Sequence, residues 1–178
     1  MQLSLILSVI KKDIHLISWH LFVNIICASK VLHPIIRGIL YKVCGLNIKN
    51  LGSISGGCFF GSSLVSIGNK TSVNYNCFFD SFDQISIGEN CLIAMEVMFC
   101  TSRHEITGNN LEHSQIKKRP TGLPIKVENN CWIGARSTIL PGVVIHEGCI
   151  IAAGSVVVKN CEPHSLYGGV PAKKIKTL

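Results

Sequence analysis

The sequence predicts an all-β fold, a parallel β-helix of about five triangular coils with an N-terminal helical segment and one inserted loop. Three observations predict it. A β-branched residue returns every six positions at Val127, Ile133, Ile139, Ile145, Ile151 and Val157. The same spacing, with slips of one or two residues, runs through Ile48, Ile54, Phe60, then Ile67, Val73, Phe79, then Ile87, Ile93, Phe99. Between these leads stand Gly68-Asn69, Gly88-Glu89-Asn90, Asn129-Asn130, Pro141-Gly142 and Glu147-Gly148, the residues that sharp corners need. A period of six keeps phase with no helix, so the unit is a short strand plus a turn. One such unit is too short to bury its own side chain. Only stacked coils, rising ~4.8 Å each as neighbouring strands do, make a continuous core.

In chain order, residues 1–45 read as a helical segment. Leu3, Ile6, Leu7, Ile10, Ile14 and Ile17 form an apolar stripe opposite Ser4, Ser8, Lys11, His15 and Ser18. The sixteen uncharged residues 14–29 are short for a bilayer span and carry no small-residue cleavage site. The stripe has three places to go: the repeat domain, a partner chain, or a membrane interface, the last being peripheral association through these helices at the inner face of the membrane. A second helix begins with Pro34 in its first turn and stops before Gly45. Residues 46–162 are the repeat domain and 163–178 a C-terminal tail.

The formal charge is +7 over 178 residues, with the basic groups Lys117-Lys118-Arg119 and Lys173-Lys174 the densest. Aromatics make up only 7% and no reader motif is present, so nucleic acid is not the expected partner. A small polyanion suits this excess better. Nine cysteines in a small secreted chain would read as disulfides, but six of the nine (Cys58, Cys77, Cys91, Cys131, Cys149, Cys161) fall four residues after a lead. Thr71, Ser137 and Ser155 share that position. It is a slot for a small, buried, weakly polar side chain, which free cysteine fills in a reducing cytoplasm. No metal is expected.

The series breaks once. After Phe99 the next lead is due at 105 and arrives at Val127, 22 residues late. A long excursion from a regular solenoid is where function concentrates. It opens in "TSRHE" and closes in "TGLPIKV", spanning 104–124.

"VNYNCFFD" before "ISIGENCLIA", "TSRHE" at the loop, "NNCWIGARSTILPGVVI" and the terminal "GGVPAKKIK" resemble the hexapeptide-repeat acyltransferases. Their units read aliphatic, then Gly/Ala/Asp/Glu, with a small residue at position five. The likeness covers roughly residues 46 to 176 and is closest to the sugar O-acetyltransferase branch, which includes maltose, galactoside, nodulation-factor, colanic-acid and capsule acetyltransferases. It implies a left-handed winding, acetyl-CoA as acyl donor, a saccharide acceptor in surface-polysaccharide synthesis, and a homotrimer with active sites between subunits.

The resemblance also implies roles. His104, at the mouth of the loop, corresponds to the family's general base, as a sugar hydroxyl needs when it attacks a thioester. Glu105 is its neighbour and candidate orienting group. Asn74, Asn76 and Asp80 match the acceptor-facing polar cluster, with Asp80 displaced by one position, and Arg103 marks the point where the coil has opened. Ala135 and Ala153 match positions along the pantetheine arm of CoA, with Trp132 as a wall. Lys173 and Lys176, with Lys159, lie where basic side chains meet CoA phosphates. Lysine stands where arginine is common, so point-charge attraction replaces bidentate pairing.

Three other readings compete. An N-acetyltransferase of a nucleotide-linked amino sugar ordinarily carries an additional nucleotide-binding domain, which the helical first 45 residues do not resemble. A non-catalytic β-helix scaffold would not need "TSRHE" or the tail lysines. A γ-class carbonic anhydrase would need three histidines on a metal, and no partners stand a coil's reach from His104.

Overall fold

Short strands of two or three residues turn one side chain inward and the next outward, so each lead enters the core and its neighbour faces out. The structure is a computed structural model that describes residues 13, 14, 16–51, 53–104 and 121–178. Coil one holds β1 (Asn47–Ile48), a single bridge at Ile54 and β2 (Phe59–Phe60). Coil two holds β3 (Val65–Ile67), β4 (Ser72–Val73) and β5 (Phe78–Phe79). Coil three holds β6 (Ile85–Ile87), β7 (Leu92–Ile93) and β8 (Met98–Phe99). The chain then leaves through β9 (Ser102–Arg103) and returns antiparallel through β10 (Thr121–Gly122). Coil four is β11 (Ile125–Val127), β12 (Trp132–Ile133) and β13 (Thr138–Ile139). Coil five is β14 (Val144–Ile145), β15 (Ile150–Ile151) and β16 (Val156–Val157). β17 (Ser165–Gly169) adds a parallel strand to β15, and β18 (Ala172–Thr177) folds back on it antiparallel.

Stacking gives three sheets. In the first, Ile48, Ile67, Ile87, Val127 and Ile145 lie in register. In the second, Ile54, Val73, Ile93, Ile133 and Ile151 do so. In the third, Phe60, Phe79, Phe99, Ile139 and Val157 follow. All fifteen leads are buried. The three phenylalanines stack at 4.8 and 5.0 Å along the axis. The slips have one address. From the first sheet to the second, and from the second to the third, the lead-to-lead distance is six residues in every coil. From the third sheet to the first it runs 7, 8, 28 and 6 (Phe60 to Ile67, Phe79 to Ile87, Phe99 to Val127, Ile139 to Ile145).

The six slot cysteines are buried free thiols. Cys58, Cys77, Cys91, Cys131 and Cys149 each donate from Sγ to a carbonyl one coil on, at 2.8–3.3 Å, as Thr71 Oγ1 does to Gly88 O at 2.6 Å. The slot is therefore small because it is buried and polar because it bonds the next coil. Burial pushes the Cys161 thiol up to about 12, so it stays neutral.

Two helices cap coil one. α1 (His20–Cys27) is wound as a π-helix and preceded by helical residues 16–19. α2 (Pro34–Val43) has Pro in its first turn, His33 as N-cap and Gly45 at φ +94° past its end. The described end of the apolar stripe does not meet the repeat domain; a different face does. Residues 1–12 and His15 lie outside the described residues, and Ile14 and Ile17 are exposed. The packed face is Trp19, Val23, Asn24 and Cys27. Its cause is polar: Trp19 Nε1 and Asn24 Nδ2 donate to Phe60 O at 2.8 and 3.0 Å, and Asn24 Oδ1 accepts from Phe60 N at 2.8 Å. These bonds satisfy the open edge of the third sheet. Arg37, 2% exposed, locks the pair by donating to the carbonyls of Cys27, Ser29, Leu32 and Ile54. Its charge is met by these four carbonyls, with no carboxylate partner among the described residues.

Candidate functional site

The edge between the third and first sheets carries the excursion. As the chain departs after β8, the N–H groups of Thr101 and Ser102 have no neighbouring coil to bond. Asp80 Oδ2 accepts from both, at 3.1 and 2.8 Å. Thr101 Oγ1 accepts from Asp83 N at 3.0 Å, which ties the two sides of the opening. Asp80 thus braces the loop's base from inside, and burial together with this carboxylate raises the Cys100 thiol. Arg103 lies on β9, exposed and opposite Thr121, so the coil has opened there as expected. His104 follows it, exposed at the loop mouth. Glu105 and the rest of the insertion to 120 lie outside the described residues.

The edge between the second and third sheets carries a groove. The residue after each second-sheet lead is Ser55, Asn74, Ala94, Gly134, Ala152 and Gly168 in turn, and the next residue in coils four and five is Ala135 or Ala153. In the upper coils these small residues leave a groove of about 470 Å³ beside Trp132 and Leu166. Backbone forms its floor: a Cβ on Gly134 would stand 2.5 Å from Ala153 N and 2.7 Å from Ile151 O. Trp132, 51% exposed, is also a wall of a lower groove of about 400 Å³ that includes Ser55, Ser72, Asn74 and Ala94. Asn74 Oδ1 accepts from Tyr75 N at 2.7 Å. Asn76 turns this edge at φ +60°, and a Cβ on Gly57 would run into its Oδ1 and come within 3.2 Å of Lys30 Cε.

At the end of the rod, Lys173 and Lys176 are exposed on β18, opposite Gly168 and Leu166. Lys174 bridges Glu162 at 2.6 Å, a contact that raises its pKa, whereas Lys173 and Lys176 have no carboxylate partner among the described residues. Lys159 is exposed above coil five, on the edge that carries His104 lower down. On the remaining edge, Glu128 accepts from Lys126 Nζ at 2.8 Å and meets His146 Nδ1 at 3.2 Å. No group of three or more potential metal ligands exists among the described residues.

The structure therefore brings the candidates together in part. Asn74 and Trp132 share one groove; Trp132, Ala135 and Ala153 share the next. Asp80, Arg103 and His104 stand on a different edge of the prism. Sequence reasoning missed Gly134, Ala152 and Gly168, although the signal was present: the position after each second-sheet lead turns small in the upper coils. Lys30 beside Asn76 was also missed, and no spacing rule links positions 46 residues apart.

The family of bacterial transferase hexapeptides (six repeats) matches residues 124–159. The galactoside O-acetyltransferase of Escherichia coli is 32% identical over 121 residues, 67% of this chain and 56% of that protein. The chain spans about half the length of the curated relatives it matches. Among solved structures, a maltose O-acetyltransferase from Clostridium difficile 630 superposes with TM-score 0.79 at 26% identity, over 95% of this chain and 87% of that one. A hexapeptide-repeat acetyltransferase from Vibrio cholerae, complexed with acetyl-CoA, gives 0.71 at 26% identity over 88% and 83%. The fold is the left-handed parallel β-helix.

Proposed function

The chain belongs to the hexapeptide-repeat transferase family, and from that premise we propose that it is an acetyl-CoA-dependent O-acetyltransferase acting on a sugar hydroxyl in surface-polysaccharide synthesis. The observation that carries this reading is the backbone-floored groove of Gly134, Ala135, Ala152 and Ala153, which suits a narrow chain such as the pantetheine arm. The exposed ammonium groups of Lys173, Lys176 and Lys159 suit the phosphates as point charges, with the tail from 163 to 178 closing over the donor.

His104 is the general base. Its imidazole takes the hydroxyl proton as the acceptor oxygen bonds to the thioester carbonyl carbon. A backbone N–H stabilises the oxyanion, and CoA leaves as its thiol after receiving the proton. Asn74, Asn76 and Arg103 hold the acceptor, Asp80 braces the strand that presents His104, and Glu105 orients the imidazole. His104 and the groove occupy different edges of one prism, which favours a homotrimer whose sites lie between copies in the cytoplasm. The outward second-sheet column of Leu92, Trp132, Ile150 and Leu166 is an apolar surface for that contact.

The test is thiol release from acetyl-CoA over a panel of mono- and oligosaccharides, with CoA binding measured separately. Wild type is expected to turn over in an acceptor-dependent way, and His104→Ala to lose on the order of 10²–10⁴-fold in rate while still binding CoA. Equal rates for the two proteins would remove His104 from the mechanism. Failure of wild type to bind CoA would favour a non-catalytic scaffold.

A further inference from the structure

A helix of a globular protein ordinarily turns its apolar face to the core and a polar face to water. Both N-terminal helices carry apolar side chains on their outward faces as well. Their inward faces are occupied by coil one, through Trp19, Val23, Arg37 and Tyr41. Their outward faces hold Ile17, Leu21, Ile25, Ile39 and Val43, with exposures from 45% at Ile39 to 77% at Val43, and Val31 stands 96% exposed in the turn between them. Exposed apolar patches of this kind mark interaction surfaces.

The surrounding charge identifies the partner. From Asp13 to Phe79 the sequence contains Lys30, Arg37, Lys42, Lys49 and Lys70 against Asp13, so this stretch contributes +5 − 1 = +4 of the chain's +7. Arg37 is spent on carbonyls, and the four lysines are exposed. A second copy would bring an identical positive rim against this one. No helix among the described residues is long and apolar enough to cross a membrane.

We infer that the outward face of the α1–α2 pair is a docking surface for an anionic lipid bilayer. The apolar side chains enter the interface and Lys42 and Lys49 meet the headgroups. The helices cap the first coil, so the rod attaches by that end and leaves the groove of coils four and five away from the surface. This inference is independent of the acetyl-transfer reading.

The experiment is flotation of the full chain with vesicles of phosphatidylcholine alone, and of phosphatidylcholine with phosphatidylglycerol in equal parts, at low and high salt. Wild type is expected to float with the mixed vesicles and to partition about tenfold or more less well to the neutral ones or at high salt. The triple variant Ile17→Ser, Ile25→Ser, Val43→Ser should remain in the dense fraction. Lys42→Glu with Lys49→Glu should behave on mixed vesicles as wild type does on neutral ones. Circular dichroism and light scattering check that each variant is folded and in its wild-type oligomeric state. Wild type that does not float with mixed vesicles overturns the inference, as does a triple variant that floats undiminished. A triple variant that dissociates, with wild type indifferent to vesicles, assigns the face to a second copy instead. Flotation insensitive to lipid charge and to both lysines removes the anionic-lipid assignment.

Discussion

Two edges of the prism keep six residues between leads in every coil, while the third grows from 7 to 8 to 28 before returning to 6. The growing edge meets its extra backbone with side chains: Ser62 N donates to Ser81 Oγ, Ser62 Oγ to Ser81 O, and Asp80 takes two amides. The constant edges have no surplus to accommodate. There, backbone bonds repeat from coil to coil, as in Ala94 N to Ile133 O and Gly134 N to Ile151 O. A groove assembled from successive coils needs that constancy, because each wall comes from a different turn. A loop needs only a braced base. One solenoid thus separates a regular, groove-bearing edge from a variable one.

The largest expected effect comes from treating the edges as interchangeable. Inserting Gly-Ser between Gly154 and Ser155, on a constant edge, displaces the stacking of coil five and breaks several inter-coil bonds, each worth about 1 kcal/mol. The same insertion between Ser62 and Ser63 lengthens a corner that already varies. Loop closure then costs only about 0.6 kcal/mol per doubling of its length. Urea unfolding should give a much lower midpoint for the first protein and a nearly wild-type one for the second. Equal losses would mean that the edges do not differ in tolerance.

This difference explains what could be read in the sequence. The fifteen leads and the cysteine slot were legible because both are set by residue count, and a period of six survives slips at one corner. The second helix was legible from Pro34 and Gly45. The packed face of the first helix was not, because the bonds from Trp19 and Asn24 to Phe60 reach across 41 and 36 residues to an edge that exists only after folding. Site residues divide in the same way. His104 and Arg103 stand out because the repeat fails there. The groove residues Gly134 and Ala152 look like ordinary repeat positions until stacking aligns them.

Next in size is Gly134→Val, which probes whether the constant edge forms the donor site. Its Cβ would meet Ala153 N and Ile151 O, backbone atoms that cannot swing aside. Overpacking of this kind costs about 1–3 kcal/mol. Calorimetric titration should show CoA affinity falling by more than the unfolding free energy explains, since the side chain also fills the floor. CoA affinity that is unchanged would move the donor site elsewhere.

Asp80→Ala addresses the growing edge. It leaves the Thr101 and Ser102 amides without their acceptor, at a cost of about 1–3 kcal/mol. Asp80→Asn keeps an acceptor oxygen and should recover a large part of that stability. If the brace serves the loop, turnover falls in Asp80→Ala while the KM for acetyl-CoA holds, the reverse of the pattern at Gly134. A rise in that KM would mean that the two edges do not work separately.

The smallest effect belongs to the edge between the first and second sheets, where a groove of about 370 Å³ lined by Lys126, Glu128 and Glu147 holds none of the candidate site residues and no inserted loop departs. There the hydrogen bond from Lys126, and then that from His146, hold the Glu128 carboxyl down to about 2. A depressed folded pKa stabilises above the ordinary carboxylate value of about 4.3. That contribution fades as pH falls through the window down to about 2. The Glu128 side chain keeps 27% of its surface and its partners are more open, so solvent screening limits the gain to under about 1 kcal/mol. Glu128→Gln should therefore leave turnover unchanged and lower the urea midpoint slightly at neutral pH. The difference from wild type should close as pH falls from about 4 toward 2. A loss at neutral pH as large as that of Asp80→Ala would mean that the regular edge depends on its side chains as heavily as the irregular one does.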